Sequence, residues 1–233
     1  SIPLIIQTFS SNFMWENDLS LWEKTVKVDS NSAFSWSQYG VALSDKGKNA
    51  EAVEAYNNSL KLKPTANAYL GRAQSNIKSN KFDDAINDLR IVTEMNNESI
   101  NAYTLYQGYE AISAAFQRKK DFQSAENYLR DGIRRLPLYK AALTEKLAII
   151  LYQLKRKPEA LQALENAKDQ ARNEFLPTSK NVFLRLGMIY AEEGDNEKAK
   201  NALREFLNLT ETTQDKMTLT SRQQASDLLK KLQ

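Results

Sequence analysis

The sequence predicts an all-α protein built as a stack of helical hairpins, and three observations carry that expectation. Residues that favour helices, Ala, Leu, Lys, Glu, Asn and Gln, are abundant, while seven Gly and five Pro punctuate 233 residues. A pattern of large and small residues recurs along the chain with a period of 33 to 40 positions, which marks a repeat architecture. One small residue opens the second helix of every unit, at Ala52, Ala85, Ala125, Ala160 and Ala199.

Composition narrows the function before any motif is considered. With 32 Lys+Arg against 29 Asp+Glu, the net charge of +3 is too balanced for a dedicated nucleic-acid binder, and no nucleic acid is expected as a partner. The chain has no His and no Cys, so imidazole bases, thiol nucleophiles, disulfides and the usual zinc ligands are all missing. No Gly-rich phosphate loop and no nucleophile motif is present either. The expectation is a non-enzyme without cofactors or metals. No apolar run reaches the roughly 20 residues of a membrane span. Ile2-Pro3-Leu4-Ile5-Ile6 is the nearest, and it lacks the charged flank and length of a secretory signal.

Taken in order, the units begin at residues 33–66, with Trp36, Tyr39-Gly40, Leu43, Gly47, Ala52, Tyr56, Ser59 and Pro64. Residues 66–99 carry Tyr69, Ala73, Ala85 and Leu89. Asn76 falls there where a large apolar residue belongs, so a slip of one, burying Ile77 instead, is expected. Residues 106–139 carry Tyr109, Ile112-Ser113, Phe116, Ala125, Leu129, Gly132 and Pro137, and residues 141–174 carry Leu147-Ala148, Leu151, Ala160, Leu164 and Ala167. Pro158 stands near the start of the second helix in the latter unit, where proline is tolerated. Residues 180–213 carry Phe183, Leu186-Gly187, Tyr190, Gly194, Ala199 and Leu203. The longer intervals predict extra helical turns around Asn101 to Arg118 and Pro158 to Thr178. Small residues let paired helices approach, and large ones reach the next pair, so each hairpin buries its apolar face only by stacking. In the final segment, 214–233, Ala225, Leu228, Leu229 and Leu232 share one face of a capping helix, with Thr220 and Gln223 as a candidate capping box.

These residues resemble the tetratricopeptide repeat (TPR) family over residues 33–213, with every signature position filled in 33–66. The resemblance implies a right-handed α-solenoid of about five repeats, preceded by a half repeat within residues 1–32 in which Trp22 and Thr25 stand one period before Tyr56 and Ser59. It further implies a scaffold that binds a peptide or partner protein in its concave groove, lined by the first helix of each repeat. Helical spacing puts Ser37, Val41 and Ser44 on that face, then Leu70 and Gln74, then Gln107, Glu110, Ala114 and Gln117, then Glu145, Ile149 and Tyr152, then Leu184 and Met188. The carboxylate clamp of chaperone-binding relatives is not expected, because Ser37, Val41 and Gly71 stand at its Lys and Asn positions.

An alternative partner is an anionic surface, lipid or polyanion, held by the basic turns: Lys46 and Lys48, Lys78 and Lys81, Arg118, Lys119 and Lys120, and Lys155, Arg156 and Lys157. Asp45, Asp83, Asp84 and Asp121 dilute that charge, and Glu192-Glu193-Gly194-Asp195 breaks the stripe. The N-terminal string Trp15, Leu19, Leu21-Trp22 and Thr25 is similar to the junction between membrane helices and extracytoplasmic repeats in polytopic glycosyltransferase-like proteins. That similarity implies a periplasmic or membrane-attached location, with Ile2 to Phe9 the stub of a membrane helix attached through sequence before Ser1. The other reading makes the same apolar residues a cover over the open end of the solenoid.

Overall fold

The computed structural model describes residues 19–95 and 100–232. Among them are twelve α-helices and no strand. The chain divides into two compact units, Ser1–Ala115 and Phe116–Gln233. In chain order the helices are α1 (Leu19–Val28), α2 (Ala33–Asp45), α3 (Asn49–Leu62), α4 (Ala66–Lys78), α5 (Phe82–Glu94) and α6 (Ala102–Arg118). They continue as α7 (Phe122–Arg135), α8 (Lys140–Gln153), α9 (Lys157–Asn173), α10 (Asn181–Glu192), α11 (Asn196–Leu209) and α12 (Lys216–Lys231). The two helices that span the expected longer intervals, α6 and α9, are each 17 residues long. The expectations for Ile2 to Phe9 and Trp15 lie outside the described residues.

Five turns inside hairpins share one backbone device. The residues at Gly47, Asn80, Lys120, Lys155 and Gly194 all have positive φ, between 59° and 81°. In each turn the following amide donates to a carbonyl five residues back, as Lys48 to Leu43, Lys81 to Asn76, Asp121 to Phe116, Arg156 to Leu151 and Asp195 to Tyr190. The positive-φ amide itself donates three back, as Gly47 to Ser44 and Gly194 to Ala191. This is the Schellman closure, which satisfies carbonyls left over at a helix C-terminus. Glycine reaches the left-handed region without steric cost, whereas a residue with Cβ pays about 1 kcal/mol. Asn80, Lys120 and Lys155 hold the same turn without it.

This hydrogen-bond frame corrects the expected slip in the second repeat. Asn76 accepts from Lys81 as Leu43, Phe116, Leu151 and Tyr190 accept in their own turns, so the register is unshifted. Asn76 is buried, and Ile77 is only half-buried.

In the N-terminal unit Leu43, Ala52, Ala55, Tyr56, Leu60 and Ala68 form a core cluster, with Leu19, Trp36, Tyr39 and Tyr69 packed against it. Tyr56 is 2% exposed and occupies space left by two glycines. A Cβ on Gly40 would meet its ring at 2.9 Å, and one on Gly71 would lie 2.6 Å from its hydroxyl oxygen. Ser59 donates to the Ala33 carbonyl at 2.7 Å, tying α3 to the start of α2. Helix α1 packs on α2, with Trp22 edge-on to Phe34 at 6.0 Å.

In the C-terminal unit consecutive helices from α7 to α12 pack on one another, and α8 also lies against α10. The same small-against-large device recurs, for a Cβ on Gly187 would strike Leu203. The last helix starts earlier than its sequence signal. Its N-cap is Asp215, which accepts from the Thr218 amide at 2.9 Å. Thr220 lies inside the helix and donates to the Lys216 carbonyl, so the expected Thr220–Gln223 box does not form the cap. Asp outcompetes Thr here because an ionised acceptor at the positive helix end gains from the dipole as well.

Between α9 and α10 the loop caps a neighbouring helix. Glu174 accepts from the Ala141 and Ala142 amides at 2.9 and 3.1 Å, at the N-terminus of α8. Burial pushes its carboxyl above the ordinary range, against the opposing pull of those two amides and of Lys180. An acid whose folded pKa is raised stabilises the fold most below its unfolded pKa and loses that contribution as pH rises through the folded one. Replacement of Glu174 by Gln should therefore gain stability relative to the parent protein as pH climbs from 4 to 7. Urea unfolding of both proteins across that range measures the difference, and a pH-independent gap would contradict the assignment.

Candidate functional site

The first helices of the N-terminal unit define a concave cavity of about 510 Å³. It is lined by Ser37, Gln38 and Val41 from α2, Leu70, Gly71 and Gln74 from α4, and Gln107 from α6. Five of the expected groove residues, Ser37, Val41, Leu70, Gln74 and Gln107, thus come together. Glu110, one turn beyond Gln107 on α6, is half-buried and outside the lining. Phe34 also lines the cavity and is 66% exposed, a large apolar side chain held open to water. It is legible in retrospect: three and seven residues before Ser37 and Val41, it shares their face of α2.

A second concave cavity, of about 300 Å³, lies between α8 and α10 in the C-terminal unit. Ala148, Ile149, Tyr152 and Gln153 line it from α8, and Arg185, Met188, Ile189 and Glu192 from α10. Of the expected residues, Ile149, Tyr152 and Met188 are present. Gln117 stands beside it, donating to Gln153 at 3.0 Å. Glu145 departs from expectation: it is 1% exposed, and its carboxylate accepts from Arg185 Nε at 2.8 Å. It supports the groove from beneath, and Arg185, which was not anticipated, carries the charge at the surface. Leu184 is buried as well and belongs to the core.

Polar groups at the other end of this cavity are mutually satisfied. Tyr152 donates to Glu192 at 2.6 Å, which raises the tyrosine pKa and lowers that of the carboxyl. Lys157 lies 3.1 Å from both Glu192 and Glu193, with its ammonium held protonated above the usual range by Glu193 and then Glu192. Its nitrogen is also 5.5 Å from the Tyr152 ring centroid.

The basic turns are less available than their sequence implies. Arg156 donates to Glu126 and Glu159, all at 2.6 Å, and Lys157 is committed as above. Lys48 pairs with Glu51 at 3.1 Å. Lys46, Arg118, Lys119, Lys120 and Lys155 are exposed, and two of them, Lys120 and Lys155, serve as the left-handed turn residues. A further depression among α9, α10 and α11 is lined by ion pairs, Arg172 with Glu205 and Lys168 with Glu165. Tyr190 there donates to Glu165, and burial with that bond pushes its pKa up to about 12. Among the described residues no group of three or more His, Cys, Asp or Glu could hold a metal ion, and no helix is long and apolar enough to cross a membrane.

Stacked hairpins with small-against-large crossings, Schellman turns at each hairpin and concave cavities along the first helices define a helical repeat scaffold. Two tetratricopeptide repeat models match the chain, one over residues 40–90 and 110–174 and the other over 181–213. The chain belongs to the tetratricopeptide repeat family. No curated protein matches the sequence. Solved structures with a similar fold include YrrB, described as a TPR protein with an unusual peptide-binding site, at 16% identity and TM-score 0.54, covering 88% of this chain and 100% of that one. MamA matches at 20% identity and TM-score 0.56, covering 74% and 94%. The pilF protein of Pseudomonas aeruginosa matches at 17% and 0.60, covering 86% and 88%. The fold is that of a scaffold for protein–protein interaction, and proteins of the family are in general non-catalytic.

Proposed function

We propose that the chain binds an extended segment of a partner protein along the first helices of its repeats, arranged as five repeats within residues 33–213 and closed by the helix in 214–233. The observation that carries this reading is the cavity of about 510 Å³ where Ser37, Val41, Gln74 and Gln107 meet beneath an exposed Phe34. Its size suits peptide side chains, and its mix of apolar walls and amide-bearing side chains suits a peptide backbone. YrrB, with its described peptide-binding site, supports the same use of the fold. The anionic-surface alternative draws less support, since Arg156 and Lys157 already hold carboxylates. Attachment to a glycosyltransferase-like membrane protein is a separate proposal on which this one does not depend.

The test uses a phage-displayed library of random dodecapeptides selected on the whole chain. Val41 is exposed, so Val41→Asp should leave the fold intact. We expect it to weaken the selected peptides by about tenfold or more, since burying an uncompensated carboxylate at the contact costs over 1.4 kcal/mol. Glu54→Lys, at an exposed position of α3, should leave them unchanged. Peptides insensitive to Val41→Asp would refute the reading for this unit.

A further inference from the structure

The cavity between α8 and α10 differs from its N-terminal counterpart in holding an oriented cation beside an apolar floor. Arg185 is 36% exposed, and its Nε is fixed on Glu145 Oε1 at 2.8 Å. Lys146 Nζ sits 3.3 Å from the other oxygen of Glu145. That end of the cavity is lined by Arg185, with the Glu145 carboxylate buried behind it. The opposite end, where Lys157 faces Glu192 and Glu193, carries two carboxylates against one cation. Among the described residues, Arg185 Nη1 meets the Met188 sulfur at 3.9 Å and Nη2 has no protein acceptor. A guanidinium held by its Nε from below presents its Nη edge outward, the geometry that recognises a carboxylate. Between the charged ends lie Ala148, Ile149, Met188 and Ile189.

Helical spacing sets the distance between the two features. Arg185 and Ile189 are four residues apart on α10, a rise of about 6 Å. In an extended chain, side chains two residues apart face the same way at about 6.6 Å. We propose that this cavity selects an internal partner segment with an aliphatic residue and an acidic residue separated by one position, the aliphatic side chain among Ile149, Met188 and Ile189 and the carboxylate on Arg185. This rests on the concave-face reading and adds the chemistry of the partner. The occupant is an internal segment whose carboxylate comes from a side chain, and a chain terminus is the competing occupant in the test.

The experiment measures binding of acetylated, amidated decapeptides of Ser and Ala carrying Leu-Ser-Glu, Leu-Ser-Gln or Ser-Ser-Glu, with a fourth ending in Leu-Ser and a free carboxylate. Surface plasmon resonance on the whole chain reads the affinities. Leu-Ser-Glu should bind about tenfold tighter than either control, the scale of one charge-assisted hydrogen bond pair. Arg185→Gln should bring Leu-Ser-Glu down to the Leu-Ser-Gln level and leave the latter unchanged. Because that variant strands buried Glu145, the double variant Glu145→Gln with Arg185→Gln is measured beside it, and the same loss is expected with a native circular dichroism spectrum. Equal binding of Leu-Ser-Glu and Leu-Ser-Gln overturns the proposal, as does preference for the free carboxylate or no binding of any of the four. Those results leave the concave-face reading standing wherever library peptides still respond to Val41→Asp.

Discussion

Replacing Tyr56 with Ala should destabilise the N-terminal unit by about 3–5 kcal/mol, the cost of deleting a fully buried aromatic ring. The ring fills a slot that two different helices leave open, α2 at Gly40 and α4 at Gly71. Little of that slot can close, because the helix backbones on both sides hold it apart. No tryptophan follows position 36 in the sequence, and the two among the described residues, Trp22 and Trp36, lie in the N-terminal unit. Tryptophan fluorescence therefore reports this unit alone, and its urea midpoint should fall while the part of the circular dichroism transition due to the C-terminal unit stays in place. Gly71→Ala should cost about 1–3 kcal/mol by the opposite route, overpacking. Combined with Tyr56→Ala it should cost nearly nothing extra, since the added methyl enters the space the ring has left. Strict additivity in this cycle would show that Tyr56 and Gly71 are not in contact.

The second large effect is expected at Asp88. Arg72 on α4 donates from Nε and Nη2 to both oxygens of Asp88 on α5, at 2.8 and 2.6 Å, and from Nη1 to Asn57 on α3 at 2.7 Å. Asp88 is 6% exposed at its side chain and Arg72 23%. The hydrogen bonds to Asp88 raise the pKa of Arg72 above an already high value, so the cation cannot escape by losing its proton. Asp88→Ala then leaves a partly buried guanidinium without its partner. Breaking a buried pair costs about 3–5 kcal/mol, and the partial exposure of Arg72 reduces this to about 2–3 kcal/mol. Removing both charges, as Arg72→Leu with Asp88→Leu, should restore most of the loss, because no unpaired charge remains. The same fluorescence-detected unfolding checks both variants. A double variant weaker than Asp88→Ala alone would mean that the pair itself stabilises the unit.

The repeat pattern was readable because its positions are set by steric contact. Gly40, Tyr56, Ala52 and Ser59 do in the structure what their sizes require: the small residues admit a neighbour and the large one fills what they leave. Asn76 misled because its side chain breaks the apolar pattern, whereas its register comes from a backbone carbonyl that every residue possesses. The last helix misled for a related reason. Thr220 and Gln223 match a capping sequence, but Asp215 caps five residues earlier and helical backbone simply runs through both.

For the candidate site, helical spacing located a face and could not tell the depth of each residue on it. Val41 and Glu145 were assigned to that face by the same periodicity, yet Val41 is exposed in a cavity and Glu145 lies under Arg185. Depth depends on how closely two helices cross, and that distance is a sum over side chains remote in sequence. The charged turns show the same limit, since Arg156 is neutralised by Glu126, thirty residues away.

By itself, then, the sequence determined the helical repeat, the positions of the hairpin crossings and the absence of His and Cys chemistry, because size, spacing and residue type are local properties. Only the tertiary structure decided which concave residues meet water, that Arg185 stands over Glu145, and which basic side chains are already paired. Those outcomes rest on distances between helices, and no pattern along a single helix contains them.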